Sequence, residues 1–467
     1  DLHRRRHSFP TRRSSDLTKF PPKVETIQPM FTSGEIMKKM IKRGLALALP
    51  LSLVFGATVA APSQAADTEI TWLIDNGQSM QDVSKALVAA YEKANPGTKV
   101  TLVLRPGGAD GDNLVKTKLA TGEMEDVFTY NSGSLFQALA PSKNLLEMTN
   151  EPYMKNVLSS FNPVVSVGKK VYGIPFGTAV GGGILYNKKI YAKLKLKVPT
   201  TWAEFMANNK KIKAAGIDPV IQSYKDTWTS QLFVLADYYN VQAASPNFAA
   251  DYTNNKEKYA KNKAALRGFE YIEELKKLNY FNRDYASTTY AQALDKVALG
   301  QGAHYPMATW AIPQIAAQQP ASLEDVGFFA QPSSKASVNG VTVWVPSGTY
   351  IPANTKNAAA AKKFVGWMTT AKAVDVMNSI EGFAGGPYYI KGASIPNALP
   401  GAVQDVMKYF AKNATAPALE FVSPIKGPNL EKILVEVGLG ITTAQKAAAA
   451  YDADVVKQAK QLGLKGW

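Results

Sequence analysis

Short apolar runs alternate with amphipathic segments along the chain from residue 68 onward. An apolar run at 69–74 is followed by Val83, Leu87 and Tyr91 at helical spacing, and a second apolar run follows at 99–104. Strands that alternate with helices in this way predict an α/β fold whose sheets are covered by helices.

In a doubly wound sheet, ligands bind beyond the carboxyl ends of the strands. The first predicted strand ends at Asp75, with Gln78 three residues further on, and the strand at 126–130 leads through Tyr130 into Asn131. We therefore predict that these four side chains line one rim of a cleft.

The glycine-rich stretch Gly181-Gly182-Gly183 lies between two apolar runs, at 171–176 and 184–186. Glycine weakens helices and the interiors of strands, so we predict a flexible crossover and not a central strand. The stretch is not a phosphate-binding loop, because no Gly-Lys-Ser/Thr follows at the required spacing. A chain of 467 residues is also too long for one ordinary core, which indicates two lobes.

Further helices are predicted from local signals. Thr201 and Glu204 have the spacing of a capping box, and Trp202 between them is expected to pack in the core. The alanine-rich segment at 442–462 predicts a final helix.

Several motifs resemble those of a known family. Tyr-Gly-Ile-Pro-Phe at 172–176, Leu-Tyr-Asn-Lys at 185–188, Asn-Pro-Gly at 95–97 and Pro-Thr-Thr-Trp-Ala-Glu-Phe at 199–205 are similar to stretches of the extracellular solute-binding proteins of ABC importers. The family that the chain resembles is the sugar-binding, maltose-binding-protein-like one, and the resemblance covers nearly all of 68–460. The resemblance implies a two-lobed periplasmic-binding-protein fold of the type II kind, with a ligand cleft between the lobes.

The resemblance also assigns segments of the chain to lobes that are joined by hinge crossovers. It implies an N-terminal lobe at 66–177 and 334–384, and a C-terminal lobe at 178–333 and 385–467.

The N-terminal region predicts secretion. A basic start at 38–43 precedes an apolar run at 45–61 and small residues up to Ala65, so 37–65 has the features of a signal peptide. A lipoprotein would need a cysteine after this run, so we expect a free periplasmic protein. Residues 1–36 are predicted to be a non-native leader.

Composition excludes several chemistries. The chain has no cysteine, and its histidines are His3, His7 and His304. A Cys/His zinc site, a cysteine nucleophile and an iron–sulfur cluster therefore cannot form, and no metal or cofactor is predicted. A single histidine outside the leader is expected to be structural.

The net charge of +16 is not evenly distributed. Residues 1–65 hold 11 Lys and Arg against 4 Asp and Glu, so the chain from residue 66 keeps a charge of +9. Its lysines are scattered along helical segments, without a basic stripe interleaved with aromatic residues. We therefore predict no nucleic-acid partner.

A sugar presents an apolar face and a rim of hydroxyls, so its site needs flat aromatic surfaces and fixed polar groups. Trp228 and Trp310 each follow a predicted strand and are the candidates for stacking. Trp344 is included as well, although its place within a strand favours the core.

Polar and hinge residues complete the candidate site. Asp226 and Ser347 join Asp75, Gln78 and Asn131 as expected hydrogen-bonding groups. Phe176 and Tyr388 belong to predicted crossovers and are candidates for contact as the lobes close.

The predicted function is capture of a mono- or oligosaccharide by hinge closure and delivery to a membrane permease, by a monomer without catalytic activity. One alternative keeps the fold but binds a polyamine, metal chelate or phosphonate, and for an anion Arg105 and Arg283 are the arginines near candidate loops. A second alternative is a glycosidase, which needs two carboxylates in one cleft. Glu123, Glu125 and Asp126 are interpreted instead as a turn and the start of a strand.

Overall fold

The computed structural model describes residues 68–381, 385–396 and 398–467. The predicted leader and signal peptide lie outside these residues, as does the part of the third crossover at 382–384. The described chain contains two mixed sheets and a small two-stranded antiparallel sheet, with helices packed around them.

The strands follow one another along the chain in this order: β1 Thr68–Asp75, β2 Thr98–Arg105, β3 Val127–Tyr130, β4 Ser166–Val167, β5 Lys170–Val171, β6 Gly173–Phe176, β7 Val180–Asn187, β8 Asp218–Val220, β9 Gly302–Ala308, β10 Val326–Ala330, β11 Val341–Trp344, β12 Ser347–Tyr350 and β13 Thr415–Pro417.

The α-helices are α1 Gln78–Ala94, α2 Gly108–Thr121, α3 Ser134–Gln137, α4 Pro141–Asn144, α5 Lys188–Lys193, α6 Trp202–Ala214, α7 Leu232–Ala236, α8 Tyr238–Ala244, α9 Phe248–Thr253, α10 Lys263–Lys277, α11 Tyr290–Ala298, α12 Ala311–Gln318, α13 Ala358–Met368, α14 Ala371–Glu381, α15 Gly401–Ala411, α16 Leu419–Val422, α17 Leu430–Leu439 and α18 Ala444–Gln461. Short 3-10 helices occur at Pro152–Asn156, Ser159–Val165, Thr227–Gln231 and Pro320–Asp325. Within the described ranges, no helix is both long enough and apolar enough to cross a bilayer.

The first sheet has the order β2-β1-β3-β12-β6. Strand β1 runs parallel to β2 and β3, whereas β12 is antiparallel to β3 and β6. Its core packs Trp72 against Phe364 of α13, with the ring centroids 5.3 Å apart. We call the part of the chain built on this sheet the first lobe.

The second sheet has the order β13-β11-β7-β9-β8, and β10 also pairs with β7. Strand β7 is antiparallel to β9, β10 and β11 and is buried along its whole length. The part of the chain built on this sheet is the second lobe.

Strand β7 corrects one prediction, because the three glycines predicted to form a flexible crossover lie inside this central strand. Large side chains occupy the space that a Cβ would need. A Cβ on Gly182 would lie 2.2 Å from Cζ3 of Trp344, and one on Gly181 would lie 2.4 Å from Cγ2 of Val406. The glycines are therefore sites of close packing, and the crossover itself is confined to 177–179, between β6 and β7.

Two lobe boundaries also differ from the sequence prediction. The predicted first lobe resumes at 334, but β11 (Val341–Trp344) pairs with β7, and the first sheet is regained only at β12. The reason is packing: Val341 is fully buried in the second lobe. Tyr388 and Ile390, predicted in the second lobe, are buried in the core of the first.

Several local predictions are confirmed. Thr201 Oγ1 accepts the N–H of Glu204, whose carboxylate accepts the N–H of Thr201, as a capping box requires. Trp202 is buried in the second lobe, and its Nε1 donates to Glu274 at 2.7 Å. The alanine-rich final segment forms α18.

The carboxylate of Asp126 ties together distant parts of the first lobe. It accepts hydrogen bonds from the N–H of Thr71 at 2.9 Å, from Oγ1 of Thr355 at 2.6 Å and from Nδ2 of Asn357 at 3.2 Å. Burial opposes ionisation, but these hydrogen bonds outweigh it, so the pKa of Asp126 lies below its ordinary value.

We expect Asp126→Asn to reduce the loss of folding stability that accompanies acidification. A lowered folded-state pKa means that ionised Asp126 stabilises the fold above its unfolded pKa of about 3.9, and that this contribution is lost as the pH falls through the folded value. The variant should be less stable than the wild type at neutral pH but should lose less further stability on acidification. Urea unfolding at a series of pH values measures this.

Glu123→Gln is the matched control, because Glu123 is an exposed carboxylate just before the same strand. Equal losses of stability on acidification for the wild type and Asp126→Asn would contradict the prediction.

Candidate functional site

Fixed charges lie at the ends of the first two strands of the first lobe. Asp75 and Arg105 stand opposite each other in the parallel register, and Arg105 Nη1 lies 3.7 Å from Asp75 Oδ2. The buried guanidinium also lies over the ring of Tyr130, 5.5 Å from its centroid. Because Asp75 Oδ1 accepts the N–H of Gly77 at 2.9 Å, the carboxylate is held in place from two directions.

An aromatic cluster forms the corresponding part of the second lobe, and it consists of Trp228, Tyr290, Trp310 and Trp344. The ring centroids of Trp228 and Tyr290 are 4.9 Å apart, and those of Trp228 and Trp310 are 6.5 Å apart. Trp344 meets Trp310 edge to face at 5.8 Å. Trp228, Tyr290 and Trp310 are half-buried, whereas Trp344 is only 8% exposed.

Backbone and carboxylate contacts position this cluster. Asp226 Oδ2 accepts the N–H of Tyr290 at 2.6 Å, at the first residue of α11, where a negative charge is favourable. Trp344 lies against Gly182 of β7. The rings therefore stand on ordered elements of the second lobe.

The first lobe approaches the aromatic cluster at Gly107 and Gly108. A Cβ on Gly107 would lie 3.5 Å from Asp75 Oδ2 and 3.9 Å from Nε1 of Trp228. A Cβ on Gly108 would lie 3.4 Å from Cδ1 of Trp228, and its φ of +66° is in the left-handed region that favours glycine. The fixed carboxylate of one lobe therefore lies beside the aromatic cluster of the other.

Electrostatics link the same groups. Burial raises the pKa of the Tyr290 phenol, the Asp75 carboxylate raises it further, and a hydrogen bond with Trp310 lowers it. The net direction is upward, so Tyr290 keeps its proton at neutral pH and can donate or accept a hydrogen bond.

Four of the predicted residues meet at this boundary, namely Asp75, Trp228, Trp310 and Trp344. Asp226 supports the site from behind through Tyr290. Tyr130 lies beneath Arg105, also behind the rim.

The other predicted residues have partners elsewhere. The amide of Gln78 donates to Asp82 on α1, and Asn131 is exposed while its carbonyl oxygen accepts from Tyr350. Ser347 is half-buried in β12 opposite Phe176, and Phe176 is buried edge-on against Trp72 with centroids 5.7 Å apart. The hydroxyl of Tyr388 donates to Asn378 of α14.

Sequence reasoning missed Tyr290 and Glu431. Tyr290 follows Thr289, the N-cap of a capping box with Gln292. Its position at the start of a helix could therefore be predicted from the sequence, but the residues that it contacts in space could not. Glu431 is an acidic residue among apolar ones in α17, where it is 5% exposed. No local pattern indicates its contacts, because Thr227 lies 204 residues away in the chain and Gly108 belongs to the first lobe.

The structure also bears on metal and acid–base chemistry. Within the described parts of the chain, no group of His, Asp and Glu side chains is arranged to hold a metal ion. His304 is buried between the hydroxyl of Tyr191 at 2.8 Å and the carbonyl of Pro219 at 2.8 Å. Burial lowers its pKa to about 3, so the ring is neutral at pH 7 and takes the structural place predicted for it.

Two cavities deserve comparison with this site. One of about 270 Å³ lies on the second lobe around Lys189 and Asp325, at the far end of β7 from Trp344. A second, of about 160 Å³, lies between the lobes and is bordered by Asp112, Lys116 and Lys426. Neither cavity is lined by an aromatic side chain, so the candidate site remains at the aromatic cluster.

Comparisons with known proteins agree with one another. Residues 77–375 match the family model described as bacterial extracellular solute-binding protein. A curated relative, the multiple sugar-binding protein of Streptococcus mutans, is 28% identical over 340 residues, which span 71% of this chain and 77% of that protein.

Solved structures share the fold. A chitin oligosaccharide binding protein superposes with a TM-score of 0.74 at 20% identity, covering 85% of this chain and 100% of the other. The solute-binding protein RafE in complex with raffinose gives a TM-score of 0.68 at 23% identity, covering 85% of this chain and 99% of the other.

Proposed function

We propose, from the premise that this chain belongs to the bacterial extracellular solute-binding proteins, that it captures a mono- or oligosaccharide between its two lobes. The lobes close on the sugar by hinge motion at their crossovers, and the closed form delivers it to the permease of an ABC importer. In this proposal the protein acts as a periplasmic monomer, exported by the signal peptide at 37–65 and without a lipid anchor.

The observation that carries this proposal is the aromatic cluster beside the fixed carboxylate of Asp75. Sugar rings offer C–H faces that pack on indole rings, and hydroxyls that need fixed hydrogen-bonding partners. Trp228 and Trp310 supply half-buried indole surface, and Asp75 and Tyr290 supply polar groups at its edge. The names of relatives that bind multiple sugars, raffinose and chitin oligosaccharides support the same ligand class.

Charge at the site favours a neutral ligand over a charged one. The Asp75 carboxylate is already paired with Arg105, so it offers a polyamine little uncompensated negative charge. Arg105 is buried and engaged by Asp75 and by the carbonyl of Pro106, which leaves it poorly placed to bind a phosphonate. A metal chelate or charged solute is therefore the weaker alternative.

A glycosidase is the other alternative, and the geometry supports it less. Asp75 is ion-paired and Asp226 is bound to the start of α11, so neither is a free general acid. Glu123, Glu125 and Asp126 belong to the turn and strand start, where Asp126 is fully engaged in hydrogen bonds. We propose a binding role without turnover, and without a nucleic-acid partner.

The test is a titration of the purified 66–467 chain, followed by intrinsic tryptophan fluorescence. Raffinose, stachyose and chitin oligosaccharides represent the sugars, and spermidine and a phosphonate represent the charged solutes. Because Trp228 and Trp310 lie at the boundary between the lobes, a bound sugar is expected to give a saturable change in their emission.

A saturable response to one sugar class, without hydrolysis of that sugar, would support the proposal. A response only to spermidine or to the phosphonate would refute the sugar assignment and leave the solute-binding family in place. Release of monosaccharide from a bound oligosaccharide would support the enzyme alternative.

A further inference from the structure

Glu431 is a carboxylate of the second lobe that reaches the first. Its Oε1 accepts from Oγ1 of Thr227 at 2.8 Å, within the second lobe. Its Oε2 lies 3.6 Å from the position of a Cβ on Gly108, and the backbone N–H of Ala109 is close enough to lower the pKa of the carboxylate. Gly108 and Ala109 are the first residues of α2, so one side chain connects the second lobe to the start of a first-lobe helix.

Helix α2 has no side-chain cap of its own. Its N-cap is Gly107, which has no side chain that could accept from the first N–H groups. The first N–H groups of a helix have no intrahelical acceptor, and an oxygen placed there stabilises the helix. Glu431 supplies that oxygen from across the boundary between the lobes.

We propose that Glu431 is a positioning residue through which the second lobe holds the first in the closed arrangement, by capping helix α2 from across the cleft. The proposal rests on the hinge closure described above. When the lobes separate, α2 loses its cap and Glu431 is exposed to water, so the contact contributes only to the closed state.

The surroundings of Glu431 decide whether its charge helps closure. Asp112 of α2 faces it from the first lobe, and Lys426 faces it from the loop before α17. Lys426 is itself paired with Glu420 at 2.9 Å, and Lys116 and Lys432 border the adjoining cavity. Burial and Asp112 raise the pKa of Glu431, and Thr227, Ala109 and Lys426 lower it, with a net upward direction.

Closure of the lobes is also expected to depend on pH. The pKa is raised in the closed state and ordinary in an open, solvated cleft, so the closed state binds the proton more tightly. Acidification therefore favours closure, and this contribution is lost as the pH rises through the closed-state value. Burial also raises the pKa of Asp112.

The hydrogen-bonding capacity of residue 431 and its charge then have separable effects. Glutamine keeps the acceptor oxygen for Ala109, and its amide can donate to the hydroxyl of Thr227, which is both donor and acceptor. Glu431→Gln should therefore close as readily as the acidified wild type, in which Glu431 is protonated, and its closure should depend less on pH. Glu431→Ala removes both contacts and should shift the closing equilibrium toward the open form by about tenfold.

The experiment measures energy transfer between the lobes of the ligand-free 66–467 chain. The chain has no cysteine, so Lys85→Cys on α1 and Lys211→Cys on α6, both at exposed positions, allow specific dye labelling. The pair is introduced into the wild type, Glu431→Ala, Glu431→Gln and Thr227→Val, and transfer is recorded across acidic and neutral pH. Glu436→Ala, an exposed carboxylate on the same helix, is the matched control.

We expect lower transfer in Glu431→Ala, a smaller loss in Thr227→Val, wild-type transfer in Glu436→Ala, and in Glu431→Gln the transfer that the wild type reaches on acidification. Unchanged transfer in Glu431→Ala, or an open Glu431→Gln, would overturn the proposal. Because no ligand is added, failure of sugars to bind would leave this result intact. Sugar binding with unchanged transfer in Glu431→Ala would refute the role of Glu431 alone.

Discussion

Replacing Trp228 by alanine is expected to weaken binding of the preferred sugar by about a hundredfold, the size of loss found when a central aromatic anchor is truncated. Trp228 contacts Tyr290 and Trp310 within the aromatic cluster and lies against Gly107 and Gly108 of the facing lobe. Its removal takes away both a stacking surface and a contact between the lobes. Isothermal titration calorimetry with the sugar that gives the strongest fluorescence response measures the loss.

Trp467→Ala is the matched control for this substitution. Trp467 is also half-buried, but it packs on Lys258 and donates to the carbonyl of Thr253, at the end of the second lobe's final segment. Trp467→Ala should therefore leave the sugar affinity unchanged. Equal affinities for the wild type and Trp228→Ala, with the fold intact by circular dichroism, would remove Trp228 from the site.

The second large effect is expected from Gly182→Ala, which should lower the free energy of unfolding by about 3 kcal/mol, near the upper end of overpacking costs. The added Cβ would lie 2.2 Å from Cζ3 of Trp344, far inside van der Waals contact. Strand β7 is central and paired on both sides, so the backbone cannot easily withdraw. The strain must therefore fall on the indole of Trp344.

This displacement connects stability with binding. Trp344 meets Trp310 at 5.8 Å, so a shift of Trp344 disturbs the ring that is proposed to stack on the sugar. We expect Gly182→Ala to bind sugar more weakly as well as to unfold at lower urea concentration. Urea unfolding and calorimetry on the same preparations measure both effects.

Gly385→Ala provides the comparison for this substitution, because a Cβ there would meet its nearest atom, Oγ1 of Thr178, at an ordinary 3.4 Å. Gly385→Ala should lower the free energy of unfolding much less than Gly182→Ala does. If both glycine variants unfolded like the wild type, close packing of Trp344 on β7 would not be what requires glycine at position 182.

Much of the first lobe was predictable because its signals are local. The apolar run at 69–74 became β1, the helical spacing of Val83, Leu87 and Tyr91 became α1, and Gly122 ends α2 in a left-handed conformation. Periodicity and caps depend on neighbours within a few residues, so the sequence states them directly.

The candidate site was only partly predictable. The ends of parallel strands meet at one edge, and Asp75 lies there opposite Arg105. Trp228 and Trp310, which follow predicted strands, lie next to each other in the aromatic cluster. Phe176 and Tyr388 were placed by their position in the crossovers, yet both side chains pack into the first lobe's core. Chain position near a hinge does not fix the direction in which a side chain points.

The sequence by itself determined the order of strands and helices, the α/β class and the family resemblance. Its lack of cysteine also excluded the chemistry that requires a thiol. Only the tertiary structure decided that Gly181–Gly183 form a central strand, that β11 belongs to the second sheet, and that Tyr290 and Glu431 face the first lobe. The physical reason is the same in each case. Trp344 lies against Gly182, and Glu431 caps α2. Both contacts join residues that are far apart in the chain. Such contacts are set by strand pairing and packing, and not by local periodicity.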